Sequence, residues 1–218
     1  MWETMRSSFL QSQNEDVMKS KLFMGIGWIM VAAAVFLMIS NMRESRQAGT
    51  AAENMVAQME SLETELPEQL ASESEEFVPE YEKNPEMEMP TVEIDGQECI
   101  GTIEIPALEL KLPVISEWSN EKLKKAPCRY SGSAYLNNLI IAGHNYRTHF
   151  SGIKYLKVDD EVIFRDTAGN EFSYSVSAIE KVDEHDIEEM ESGDWDLTLF
   201  TCTKGGRARV AVRCKERK

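Results

Sequence analysis

Leu197-Thr198-Leu199-Phe200-Thr201-Cys202 and, after a short connection, Arg207-Ala208-Arg209-Val210-Ala211-Val212-Arg213-Cys214 are the two stretches that decide the architecture. Side chains on a β-strand point alternately to opposite faces, so each run sorts into two sets. In the first, Leu197, Leu199 and Thr201 share one face, and Thr198, Phe200 and Cys202 share the other. In the second, Val210, Val212 and Cys214 oppose Arg207, Arg209, Ala211 and Arg213. The aliphatic sets predict inward faces of a β-barrel, which leaves Cys202 and Arg209 on outward faces of neighbouring strands, where a groove would hold a peptide. Parity alone does not separate Arg209 from Arg207.

The rest of the segment from Thr91 onward reads the same way. Leu108, Leu110, Leu112 and Val114 alternate with Glu109, Lys111 and Pro113, the period of a half-buried strand. Val162–Arg165, then Asp166–Asn170, then Phe172–Ala178, reads as a hairpin with alternation on its return strand. Short helices are expected around Asn120–Lys125 and Glu184–Met190. Many short strands over about 128 residues predict a closed barrel, which removes exposed sheet edges.

The N-terminal part differs. Up to Pro90 there are 16 acidic and 6 basic residues; from Thr91 there are 22 and 17, so most of the net charge of -15 lies in the first part. Such a chain offers no basic surface to displace phosphate counterions, which argues against nucleic acid as a partner. Leu22–Ile39 is eighteen uncharged residues, enough to cross a hydrocarbon core of roughly 30 Å. It is longer than the apolar region of about 7–15 residues usual in signal peptides, so an uncleaved anchor is expected. Lys19 and Lys21 balance Arg43 and Arg46, and the short 21-residue tail argues for a cytoplasmic N-terminus. The expected organisation is a tail over 1–21, an anchor over 22–39, an acidic stalk over 40–90 and a β-domain over 91–218. Met55, Val56, Met59 and Leu62 have helical spacing, but the dense glutamates make a solvated helix the simpler expectation.

The chemistry lies at the strand ends. Ile140-Ile141-Ala142-Gly143-His144 puts a histidine after an apolar strand, upstream of Cys202. A thiol, an imidazole and a guanidinium suffice to open an acyl bond: the thiol attacks, the imidazole moves protons and the fixed cation holds the oxyanion. Arginine does not deprotonate in proteins, so Arg209 is no base. Of the other histidines, His149 is expected in a loop close to His144, and His185 in a solvated acidic stretch. Four cysteines would permit two bridges, and Cys214 reads as a buried thiol or as a partner of Cys99 or Cys128.

Thr198-Leu199-Phe200-Thr201-Cys202 with Arg209 downstream, taken with Ala142-Gly143-His144, resembles the signature of sortases, the cell-wall cysteine transpeptidases of Gram-positive bacteria. The resemblance covers most of Ile100–Cys214, and Ile100–Pro106 with Leu112-Pro113-Val114 is similar to the family's first barrel strands. It implies a closed sortase-type β-barrel of about eight strands, preceded here by a transmembrane helix and stalk. It also implies Cys202, His144 and Arg209 as catalytic residues, with Thr201 shaping the oxyanion site or the substrate threonine pocket. The implied partners are secreted proteins carrying a Leu-Pro-Xaa-Thr-Gly-like (LPXTG-like) sorting signal and an amine from a wall peptide or a pilin lysine. No cofactor is expected, except that the acidic run Lys181–Asp196 carries the alternative of a calcium ion, as in some relatives; a solvated acidic face is the simpler reading. Competing readings are a cysteine peptidase, which usually carries its cysteine before its histidine at a helix start, and a membrane-anchored binding module in which Cys202 is dispensable.

Overall fold

The computed structural model describes residues 2–65, 78–183, 186, 190–203 and 208–217; for 2–20, 22, 23 and 63–65 the backbone alone is described. The chain divides into two compact units, Met1–Glu44 and Ser45–Lys218. The first is helical throughout its described residues, part of helix α1 (Trp2–Glu65). Within α1, Met24–Leu62 contains a stretch long and apolar enough to cross a membrane, and none of that stretch is buried. Trp28, Ile29 and Phe36 are each 70% exposed.

The second unit is built on nine strands among the described residues: β1 (Val92–Ile94), β2 (Gln97–Ile105), β3 (Leu110–Ile115), β4 (Cys128–Ser131), β5 (Leu139–Ala142), β6 (Glu161–Asp166), β7 (Glu171–Asp183), β8 (Leu197–Cys202) and β9 (Ala208–Glu216). Their order is β1-β2-β3-β4-β5-β8-β9-β7-β6, and β6 pairs back onto β2. Strands β2 to β9 therefore close an eight-stranded barrel, and β1 folds onto β2 as a short hairpin. Two neighbours are parallel, β3 with β4 and β5 with β8; the other pairings are antiparallel.

The interior is filled by inward side chains of all the long strands. Ile100, Ile103 and Ile105 of β2 meet Leu112 and Val114 of β3, Leu139 and Ile141 of β5, Val162 and Phe164 of β6, and Leu197 and Leu199 of β8. The aliphatic set of β9 behaves as its parity predicts, with Val212 and Cys214 in this core and Val210 packed against it. The β6–β7 hairpin is held by Asp166, whose Oδ1 accepts from the backbone N–H groups of Ala168 and Asn170 at 2.9 Å. The hydroxyl of Tyr135 donates to Oδ2 of the same carboxylate at 2.6 Å.

Three sequence expectations change. Strand β3 begins at Leu110, because Pro106–Leu108 forms a 3-10 turn closed by Glu109 in the left-handed region at φ 50°. It is buried on both faces from Leu112, not half-buried, because Ile115 turns to a second apolar cluster beneath α1. The α1 residues over 45–62 are not a solvated helix: Ala48, Ala52, Met55, Val56 and Met59 are all buried. Met55 and Met59 pack with Ile94, Cys99, Ile115, Ala126 and Cys128, while Ala52 reaches the main core. The expected helix around Asn120–Lys125 is a single 3-10 turn, Lys122–Lys124. Of the one expected at Glu184–Met190, only Asp186 and Met190 lie within the described residues.

Candidate active site

The site is assembled by the register of three adjacent strands. Across the antiparallel β8–β9 pair, Thr198 faces Arg213, Phe200 faces Ala211 and Cys202 faces Arg209. Directly opposed residues in such a pair project on the same face, so Cys202 and Arg209 are lateral neighbours. Register pairs Arg209 with Cys202, whereas Arg207, which parity leaves equivalent to it, lies outside the described residues. On the other side of β8 the parallel β5 sets Ile140 beside Thr198 and Ala142 beside Phe200. The backbone N–H of Gly143 donates to the Phe200 carbonyl at 2.9 Å, continuing that ladder beyond the end of β5. His144 follows Gly143 in the loop after β5, so Cys202 and Arg209 share one face of the β8–β9 pair and His144 lies two residues past the strand on the other side of β8.

This outward face carries an apolar cluster of its own. Ile140, Ala142, Phe200 and Ala211 make an apolar floor beside Cys202 and Arg209, completed by Val182 of β7 and Met190 of the β7–β8 connection. The rings of Phe200 and Tyr130 meet edge-on at 5.3 Å. The Arg209 guanidinium lies over the Phe200 ring at 5.4 Å, and its Nη1 is buried with no hydrogen-bond partner among the described residues. A cation held by a ring face keeps its N–H groups available for another acceptor. Cys202 is exposed, whereas Cys99, Cys128 and Cys214 are buried, and all four thiols are free. Burial raises the pKa of Cys99 to about 11 and of Cys128 and Cys214 to about 12, so these three stay protonated and inert. The bridges that an even cysteine count permits are not formed.

His144 packs against an aromatic neighbour. The ring of Tyr146 stacks on it with centroids 4.2 Å apart and an angle of 22° between planes. Gly143 lets the chain turn tightly here, since a Cβ on it would lie 2.3 Å from the Phe150 ring. His149 shares the loop but not the groove: it is 1% exposed, and burial lowers its pKa to about 4. Thr201 sits on the opposite face of β8 from Cys202, across from Val210, and is buried with its Oγ1 unpartnered among the described residues. His185 lies outside the described residues. No group of three or more ligating side chains that would hold a metal occurs among the described residues, and much of the acidic run lies outside them.

Parity pointed to Cys202 and Arg209, but it did not point to Phe200 as the shelf under Arg209, Tyr146 as the partner of His144, or Arg213. The last is buried in the floor, where Nη1 donates to the Met190 carbonyl at 2.7 Å and to Thr198 Oγ1 at 3.2 Å, and Nε reaches Glu180 at 3.1 Å. Their sequence signal is spacing of two or four from a site residue on the same strand or loop.

A sequence model described as the sortase domain matches residues 103–217, more than half of the chain. This chain belongs to the sortase family. The sortase is 30% identical over 121 residues to sortase A of Bacillus anthracis, a match spanning 53% of this chain and 57% of that protein. It thus covers less than two thirds of that relative. Among solved structures it resembles sortase A of Corynebacterium diphtheriae, with TM-score 0.50 and 24% identity over 56% of this chain and 62% of that one. It also resembles sortase A of Listeria monocytogenes, with TM-score 0.50 and 20% identity over 55% of this chain and 88% of that one. These likenesses are of fold, and they agree with the closed eight-stranded barrel. Sortases are cysteine transpeptidases.

Proposed function

We propose that this sortase is a membrane-anchored cysteine transpeptidase that cleaves an LPXTG-like sorting signal and passes the acyl group to an amine of the cell wall or of a pilin. The observation that carries this reading is the register Cys202↔Arg209, with His144 two residues beyond the end of β5, the strand that neighbours β8.

The Cys202 sulfur attacks the carbonyl carbon of the signal's threonine. Arg209, whose guanidinium lies over Phe200 with Nη1 unpartnered among the described residues, donates to the developing oxyanion or to a substrate carbonyl. The C–N bond breaks as imidazolium His144 gives its proton to the leaving amine, and a thioester remains on Cys202. The incoming amine attacks that thioester and loses a proton to His144. The C–S bond then breaks, which restores the thiolate and imidazolium. The apolar floor of Ile140, Ala142, Phe200 and Ala211 suits the signal's leucine and proline. Thr201, buried behind the nucleophile, shapes the strand end that carries Cys202. The apolar stretch of α1 is the anchor, with a cytoplasmic N-terminus and the barrel outside.

The test incubates the full chain in detergent, wild type and Cys202→Ala, with LPXTG-like peptides and amine acceptors. A covalent acyl adduct on the wild type alone, together with amine-dependent product, is the expected result by mass spectrometry. Adduct with hydrolysed product only, across all acceptors, favours a peptidase. No adduct with any peptide overturns the reading.

A further inference from the structure

We infer that the α1 residues following the apolar stretch form part of the catalytic apparatus: Ser45, Ala48 and Gly49 hold the loop that orients His144. The inference rests on the reading of His144 as the acid–base group. It names Gly49, Thr148, His149 and Tyr146 as positioning residues.

The path runs through packed contacts within the Ser45–Lys218 unit. Thr148 Oγ1 donates to the Ser45 carbonyl at 2.8 Å, a bond between residues 103 apart in sequence. Gly49 lies one turn further along the helix, flush against the Thr148 side chain; a Cβ there would sit 2.7 Å from Cγ2 and 2.9 Å from Cβ. His149 is buried beside the Ala48 carbonyl, although neither ring nitrogen completes a hydrogen bond of good geometry. The ring of Tyr146 lies 5.4 Å from that of His149 and stacks on that of His144 at 4.2 Å. The loop between them is stiff. The N–H of His149 donates to the Tyr146 carbonyl at 3.0 Å, that of Ser151 to the same carbonyl at 3.2 Å, and that of Phe150 to the His144 carbonyl at 3.1 Å. A displacement of Thr148 therefore moves His149, Tyr146 and the imidazole together.

The small residues are what permit the approach. Ser45, Ala48, Gly49 and Ala52 follow the three-and-four spacing of one helix face, and that face continues into Met55, Val56 and Met59, which anchor it on the barrel. The helix is fixed at its methionine end by burial and meets the histidine loop at its small-residue end. A catalytic group misplaced by about 1 Å loses on the order of a hundredfold in rate, so a contact at this remove governs turnover without touching substrate.

The test uses the full chain and two readouts. The first is the pH dependence of alkylation of Cys202, the exposed cysteine of the four, by iodoacetamide, which needs no substrate. The second is kcat and KM for peptide transfer. Variants are His144→Ala as reference, Gly49→Ala, Thr148→Val, and Gly49→Ala combined with Thr148→Ser, which removes the crowding methyl but keeps the hydroxyl. Gly49→Ala and Thr148→Val are expected to shift the alkylation profile toward that of His144→Ala and to lower kcat about tenfold with KM unchanged. Thr148→Ser is expected to restore both in the Gly49→Ala background, which a merely destabilised fold would not show. Wild-type profiles in both single variants overturn the inference, as does a wild-type profile already matching His144→Ala. If the alkylation shift and rescue occur while no peptide is turned over, the inference stands and the transpeptidase reading fails.

Discussion

At the scale of single residues, motif and parity single out the proposed reacting groups but not the contacts around them. Motif and parity, which point to Cys202 and Arg209, are properties of one strand at a time. The shelf beneath Arg209, the stack on His144 and the buried ties of Arg213 are contacts between strands or across a loop, which no single run encodes. Arg209→Ala is expected to lower kcat by about a hundredfold or more, the usual loss for one oxyanion donor. Phe200→Ala should lower it less and raise KM as well, since it removes floor and shelf together; steady-state kinetics on the signal peptide separates the two. Arg213 makes a stability prediction. Its Glu180 partner is partly exposed, so the ion pair contributes little, but Arg213→Met leaves the Met190 carbonyl and the Thr198 hydroxyl buried without a donor. Two such orphans cost about 2–4 kcal/mol, read as a shift in the urea midpoint at unchanged slope.

At the scale of elements, α1 shows why composition misleads. The spacing of Met55, Val56 and Met59 was read correctly as helical, yet the surrounding glutamates suggested a solvated helix. What buries that face is Ile94, Ile115 and Cys128, residues distant in sequence, so the partner surface was invisible to a local pattern. Met55→Ala is expected to destabilise the barrel unit by about 3 kcal/mol, the ordinary cost of truncating a fully buried side chain. The same interface carries a pH dependence. In the unfolded chain the His149 imidazole titrates near its usual 6.5; in the fold burial holds it at about 4. Between those values the unfolded state binds more protons, so stability is fully present above about pH 6.5 and is lost as the pH falls toward 4. Equilibrium unfolding of wild type and His149→Phe across that range measures it: the wild type weakens on acidification, and the variant weakens less.

For the whole molecule, the closed barrel was predictable from many short alternating strands, and the position of its seam was not. The return of β6 onto β2 and the two parallel pairings are set by how connections cross the barrel ends, which strand patterns leave open. The compact unit begins at Ser45. A fragment from residue 91 to the C-terminus, which the β-pattern alone would suggest, therefore exposes Ile94, Ile115 and Cys128. It should melt well below a fragment starting at residue 45, as differential scanning calorimetry will show.

The parallel ladder between β5 and β8 also bears on when the proposed active site is assembled. His144 and Cys202 stand 58 residues apart, and a parallel pair requires a crossover, so no hairpin brings them together early. Contacts of such separation form late in folding, after the local turns have already been made. On the proposed transpeptidase reading, Cys202 until then lacks its proton partner. On that reading a chain still being synthesised or transported carries its nucleophile in a dormant form, and closure of the barrel is the event that arms it.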